Sequence, residues 1–106
     1  MIKIKTLHSY AAIKSVLLKD FVILVAKTHT CSICKTIHNH LAQNIHNFDS
    51  LDSYQIYIDD IERFRGEYVV FSVPTIMIFS KGKELMRQSR FFDIDKINRL
   101  IAAYKA

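Results

Sequence analysis

The chain has 106 residues, half of them hydrophobic, with two glycines, one proline, two cysteines and a formal net charge of +5. That length suits a single domain over residues 1–106, and so little glycine and proline excludes long linkers or disordered tracts. Two cysteines exclude a disulfide-built secreted scaffold, and the longest apolar run, Phe21 to Ala26, is far too short to span a membrane.

The basic residues are scattered (Lys3, Lys14, Lys35, Arg63, Lys81, Arg90) and form no arm. A solvated basic surface is therefore expected, with neither nucleic acid nor a membrane as partner. Met1 to Thr6 lacks the apolar stretch of a secretory signal, which predicts a soluble, cytoplasmic protein. No separate apolar stripe is left over for an interface, so a monomer is expected.

In chain order, Ile2 and Ile4 alternate with lysines as in a short edge strand. Leu7, Tyr10, Ile13 and Leu17 recur at helical spacing, predicting a helix to Leu18 that starts at Thr6 or Leu7, with Thr6 as N-cap. Phe21 to Val25 is a continuous apolar run and reads as a strand buried on both faces. After the polar Lys27-Thr28-His29-Thr30 come Cys31, Ile33, Ile37, Leu41, Ile45 and Phe48, a stripe predicting a helix of about four turns. Tyr54 to Ile58 alternates as a strand. Asp59, Asp60 and Glu62 read as the solvated, acidic start of a short helix carrying Phe64. Ile76 to Phe79 and Glu84 to Ser89 form a hairpin around Lys81-Gly82, and a last amphipathic helix runs through Ile94, Ile97, Ile101 and Tyr104, with Asp93 as N-cap. The order β-α-β-α-β-α-β-β-α implies an α/β protein with a central mixed sheet of four to five strands and helices on both faces.

The chemistry lies in Cys31-Ser32-Ile33-Cys34, where a buried strand ends and a helix begins. At a helix N-terminus, unpaired N–H groups and the positive dipole end favour thiolate over thiol, which makes Cys31 the expected nucleophile. Cys34, nearly one turn on, is placed to attack a mixed disulfide and release the product. Lys27 and Lys35 add positive charge nearby. A bridge between the two closes so small a loop that stability is a poor reason for it. Two other readings stay open at this point. The cysteines pack in the core, or they hold a metal ion with His38 and either His29 or His40. His38, His40 and His46 otherwise read as polar residues on the outer face of the helix, and Phe91 and Phe92 as core or groove wall.

The strand Phe21–Val25, the motif Cys31-Ser32-Ile33-Cys34-Lys35 opening a helix, Val73-Pro74-Thr75 leading into Ile76–Phe79, and the Lys81-Gly82-Lys83 turn together resemble thioredoxin over essentially the whole chain. The resemblance implies a thioredoxin fold with a cis peptide bond before Pro74, set against the cysteines. It implies a thiol–disulfide oxidoreductase in which Cys31 attacks and Cys34 resolves. Val73, Pro74, Thr75 and Thr30 would bind an extended substrate chain, and that proline disfavours capture of a metal by the cysteines. No cofactor is implied, since the electrons reside in the cysteine pair. The implied partners are a disulfide-containing protein or small thiol as substrate, and a reductase or low-molecular-weight thiol as electron donor.

The chain also departs from the family. Thioredoxin itself reads Trp-Cys-Gly-Pro-Cys, where this chain has Thr30 for the tryptophan and Ser32-Ile33 for Gly-Pro. The family's buried aspartate is matched by Val25, its partner lysine has no counterpart in Tyr54–Ile58, and Arg90-Phe91-Phe92 stands where a glycine is usual. Slower resolution, or help from a group such as His29, follows from the first two. They also keep a second class of function open: a non-catalytic thioredoxin-fold adaptor or a thiol- or metal-binding module.

Overall fold

A computed structural model describes residues 4–45, 51–89 and 91–105. Among these residues five strands, β1 (Lys5–Thr6), β2 (Val22–Lys27), β3 (Asp52–Tyr57), β4 (Thr75–Ser80) and β5 (Lys83–Ser89), make one sheet in the order β1-β3-β2-β4-β5. β1, β3 and β2 run parallel, while β4 lies antiparallel to β2 and pairs with β5 as a hairpin. The described residues also form four helices: α1 (Tyr10–Leu17), α2 (Cys34–Asn44), α3 (Glu62–Glu67) and α4 (Ile94–Lys105).

Side chains alternate across a strand, so the unbroken apolar run in β2 feeds two cores at once. Val22, Leu24 and Ala26 pack with Ile13 and Leu17 of α1 and Phe64 of α3. Ile23 and Val25 pack on the other face with Leu41 of α2 and Ile97 and Ile101 of α4. The result is a helix–sheet–helix sandwich with β2 in its centre.

At the hairpin tip both Lys81 (φ 50°) and Gly82 (φ 84°) occupy the left-handed region, as a two-residue turn matched to strand twist requires. Their N–H groups donate to the Lys19 and Leu17 carbonyls at 2.7 Å, tying the tip to the end of α1. Asp93 caps α4 as expected, its Oδ1 accepting from the Lys96 N–H at 3.0 Å.

Several boundaries differ from expectation for local reasons. α1 begins at Tyr10, capped by the Ser9 hydroxyl, which accepts from the Ala12 N–H at 3.1 Å. Thr6 is taken instead by β1, where it pairs with Gln55 and its Oγ1 accepts from Gln55 Nε2 at 2.6 Å. α2 opens at Cys34, so Cys31 precedes the helix by a turn and sits in a bend closed by its N–H donating to the Thr28 carbonyl. Asp59 and Asp60 do not start α3, which begins at Glu62; they sit in the turn after β3. The expected strand residue Ile2, the helical extension through Phe48, and His46 and Arg90 lie outside the described residues.

Candidate active site

β2 delivers Lys27 to one end of the sheet, and the chain turns through Thr28, His29 and Thr30 to reach Cys31. Cys31 and Cys34 form a disulfide with their Cα atoms 5.5 Å apart. The two sulfurs are not equivalent in access: Cys34 is 3% exposed, whereas Cys31 is only half-buried. With both sulfurs bonded to each other, neither serves as a thiolate ligand to a metal in this state. His40 is exposed and contacts Asn44 within the helix, as an outer-face residue should. The His38 side chain lies outside the described set.

β4 brings the second component. Thr75 lies opposite Ala26 in the β2–β4 register, so Pro74 sits at the end of the sheet from which the cysteine loop emerges. The Val73–Pro74 peptide bond is cis and Pro74 is buried. Thr75, 1% exposed, donates its hydroxyl to the Ser72 carbonyl at 2.6 Å and shares a 2.7 Å hydrogen bond with Ser89 Oγ. Its hydroxyl therefore holds the loop rather than facing outward. Thr30 is exposed beside the cysteines. Phe91 is 89% exposed, while Phe92 packs into the core shared by α2 and α4, which divides the two aromatics between surface and interior.

The position matching the family's buried aspartate holds an apolar side chain. Val25 is 2% exposed and lies between Gln55 and Ile76 on the neighbouring strands.

His29 is the residue whose setting the sequence hid. Its ring stacks on Tyr57 with centroids 3.9 Å apart and planes 6° apart. Its Nε2 lies 2.7 Å from Asp60 Oδ2, and its backbone N–H donates to Asp59 Oδ2 at 3.2 Å. The hydrogen bond to Asp60 is the main reason the imidazole pKa is raised above the ordinary histidine value; desolvation and Lys27 pull the other way. One ligating atom from each of His29, Asp59 and Asp60 lies within 4.8 Å of the others, but these hydrogen bonds already account for the grouping. Because the folded-state pKa is raised, the pair's contribution to stability is full below the unfolded histidine pKa. It is lost as pH rises through the raised value. Asp60→Asn is expected to lower the titration midpoint of the His29 imidazole followed by NMR; an unchanged midpoint would mean that the pair does not form in solution.

Comparison with known proteins fits this geometry. The family model for thioredoxin matches residues 5–103. This chain belongs to the thioredoxin family. It is 24% identical over 94 residues to the thioredoxin-like protein YdfQ of Bacillus subtilis, covering 88% of this chain and 84% of that protein. Its backbone is similar to that of Malassezia sympodialis thioredoxin (Mala s 13), with a TM-score of 0.80 at 20% identity over 100% of this chain and 94% of the other. Plasmodium falciparum thioredoxin superposes with a TM-score of 0.78 at 18% identity, over 95% of this chain and 99% of its own. The chain therefore has the thioredoxin fold, and membership of the family together with a Cys-x-x-Cys pair at disulfide distance supports oxidoreductase chemistry.

Proposed function

We propose that this thioredoxin-family chain exchanges protein disulfides through Cys31 as attacking thiolate and Cys34 as resolving thiol. The observation that carries the reading is the asymmetry of the pair: Cys31 is half-buried and Cys34 is 3% exposed. An incoming disulfide meets Cys31 first. The Cys31 thiolate bonds to one substrate sulfur and the other leaves as a thiolate. Cys34, having lost its proton, then attacks the Cys31 sulfur, closes the intramolecular disulfide and expels the remaining substrate sulfur. The substrate gains two electrons and two protons; the cysteine pair loses them. The electrons are stored in the pair, so the exchange itself calls for no cofactor.

Val73, Pro74 and Thr75, at the same end of the sheet as the cysteine loop, and Thr30, next to Cys31 in the chain, are the proposed contacts for an extended substrate segment, with backbone groups at Val73 offering strand-like hydrogen bonds. A reductase or a small thiol returns the pair to its reduced form. One observation favours an adaptor instead, namely the apolar Val25 where a carboxylate would assist turnover.

The test is capture. Reduced Cys34→Ser protein, mixed with a peptide carrying an aromatic disulfide, is expected to retain one peptide per chain, linked at Cys31. Reduced Cys31→Ser protein is expected to capture far less, because the remaining sulfur is buried. Equal capture by both variants would contradict the assignment, and capture only at Cys34 would reverse it.

A further inference from the structure

Beside the disulfide lies a pocket of about 390 Å³ whose lining includes Cys31, Cys34, Lys27, Lys35, Asn39 and Gln55. We propose that this pocket binds a small carboxylate-bearing thiol, and that this thiol is the electron donor that recharges the cysteine pair. The proposal rests on the exchange reading above and names its donor.

Size and charge carry it. A cavity of a few hundred cubic ångströms takes a small molecule rather than a folded partner. Among the described residues, neither lysine has a carboxylate within salt-bridge distance, although they come from different elements, β2 and α2. The nearby acids are turned elsewhere, Asp60 to the His29 ring and Asp59 to the His29 N–H. Lys27 Nζ stands 5.1 Å from the Tyr57 ring centre, and that ring, also in the lining, is stacked on His29. The pocket wall is thus cationic at two points, and it contains both reacting residues. Gln55, from β3, completes this part of the lining and donates its Nε2 to Thr6 Oγ1 at 2.6 Å. An anion held there brings its thiolate to the disulfide at high effective concentration, and two unpaired cations offset the charge of the attacking sulfur.

The exchange balances with two donor molecules. The first donor thiolate bonds to the Cys31 sulfur as the S–S bond breaks, and Cys34 leaves as a thiolate. A second donor thiolate attacks the donor sulfur of that mixed disulfide, releasing a donor disulfide and the Cys31 thiolate. Two donor thiols are oxidised, the protein disulfide takes up two electrons, and the two thiol protons pass to the cysteines or to solvent.

The experiment compares reduction of the oxidised protein by mercaptosuccinate, which carries two carboxylates, with reduction by neutral 2-mercaptoethanol, each rate expressed per thiolate at low ionic strength. The readout is the ratio of the two rates, so that intrinsic thiol reactivity cancels between protein variants. Lys27→Gln/Lys35→Gln is expected to lower the ratio about tenfold. Lys81→Gln/Lys83→Gln removes the same net charge at the hairpin tip, at the far end of the sheet, and is expected to lower it less than about twofold. Should the first double variant fail to fold, Lys35→Gln alone, at an exposed position, is compared with Lys81→Gln. If dithiothreitol reduces the protein but the ratio is unmoved, or falls equally in both double variants, the pocket proposal is overturned and the exchange reading stands. If dithiothreitol leaves the disulfide intact, the exchange reading fails and the pocket proposal fails with it.

Discussion

Changing Cys31 to serine is expected to bring the reduction of a protein disulfide down to the uncatalysed background, while the chain stays folded. A serine hydroxyl has no accessible anion at neutral pH, so the attacking group is lost outright rather than weakened. The cost to stability is expected to be small by comparison. In chain-entropy terms a bridge closing a loop this short is worth about 2 kcal/mol, against about 3 for a loop of fifteen residues. Loss of turnover with a modest drop in denaturation midpoint would show that the pair serves chemistry rather than the core. The adaptor reading predicts a different outcome: partner capture that survives Cys31→Ser. Turnover assays and non-covalent partner binding, measured on the same variant, separate the two.

Phe64→Ala is expected to give a large loss of stability. Phe64 is fully buried beneath the sheet, in the cluster holding Ile13, Ile56, Ile58 and Val70, and its ring stacks on Tyr68 at 4.7 Å. Truncating a buried phenylalanine costs about 3–5 kcal/mol, from lost transfer free energy plus the cavity left behind. Against a typical total of about 5–15 kcal/mol, that is a major fraction. It corresponds to a melting temperature lower by more than about 10 °C for a domain of this size. Leu18→Ala, at a side chain 67% exposed, is the comparison, with an expected change within about 0.5 kcal/mol. Denaturant unfolding of both variants checks the pair of values. A Phe64→Ala cost below about 1 kcal/mol would mean that α3 is not packed as described.

The fold was readable wherever one strong local pattern spoke for an element. The apolar run ending at Val25 could only be a strand covered on both faces, and it lies at the centre of the sheet with cores on either side. Lys81-Gly82 between two alternating segments marked the hairpin, and Asp93 marked the start of α4. What failed were choices settled by distant partners. Thr6 and Ser9 are both competent N-caps, and Thr6 loses the role because parallel pairing with β3 claims it. Asp59 and Asp60 have the look of a helix start, yet His29, thirty residues earlier, engages both. The cysteine spacing announced the reactive pair and Lys27 and Lys35 were expected near it, whereas the part of the adjoining pocket that comes from β3 could not be foreseen. The pocket's cationic wall combines Lys27 from β2 and Lys35 from α2, with Gln55 from β3. Only the pairing of β3 with β2 brings Gln55 to the two lysines. The cis bond at Pro74 came from the family resemblance and not from any property of the Val73-Pro74-Thr75 segment itself.

Whether Cys31 and Cys34 form a redox-active pair is tested by their redox equilibrium, followed by thiol trapping across a series of reduced-to-oxidised dithiol buffers with metal ions removed. One reversible two-electron transition between dithiol and intramolecular disulfide is expected, and its midpoint states whether the pair is poised to reduce or to oxidise its substrates. Failure to form the disulfide at any buffer ratio, with both thiols remaining trappable, would contradict a redox-active pair.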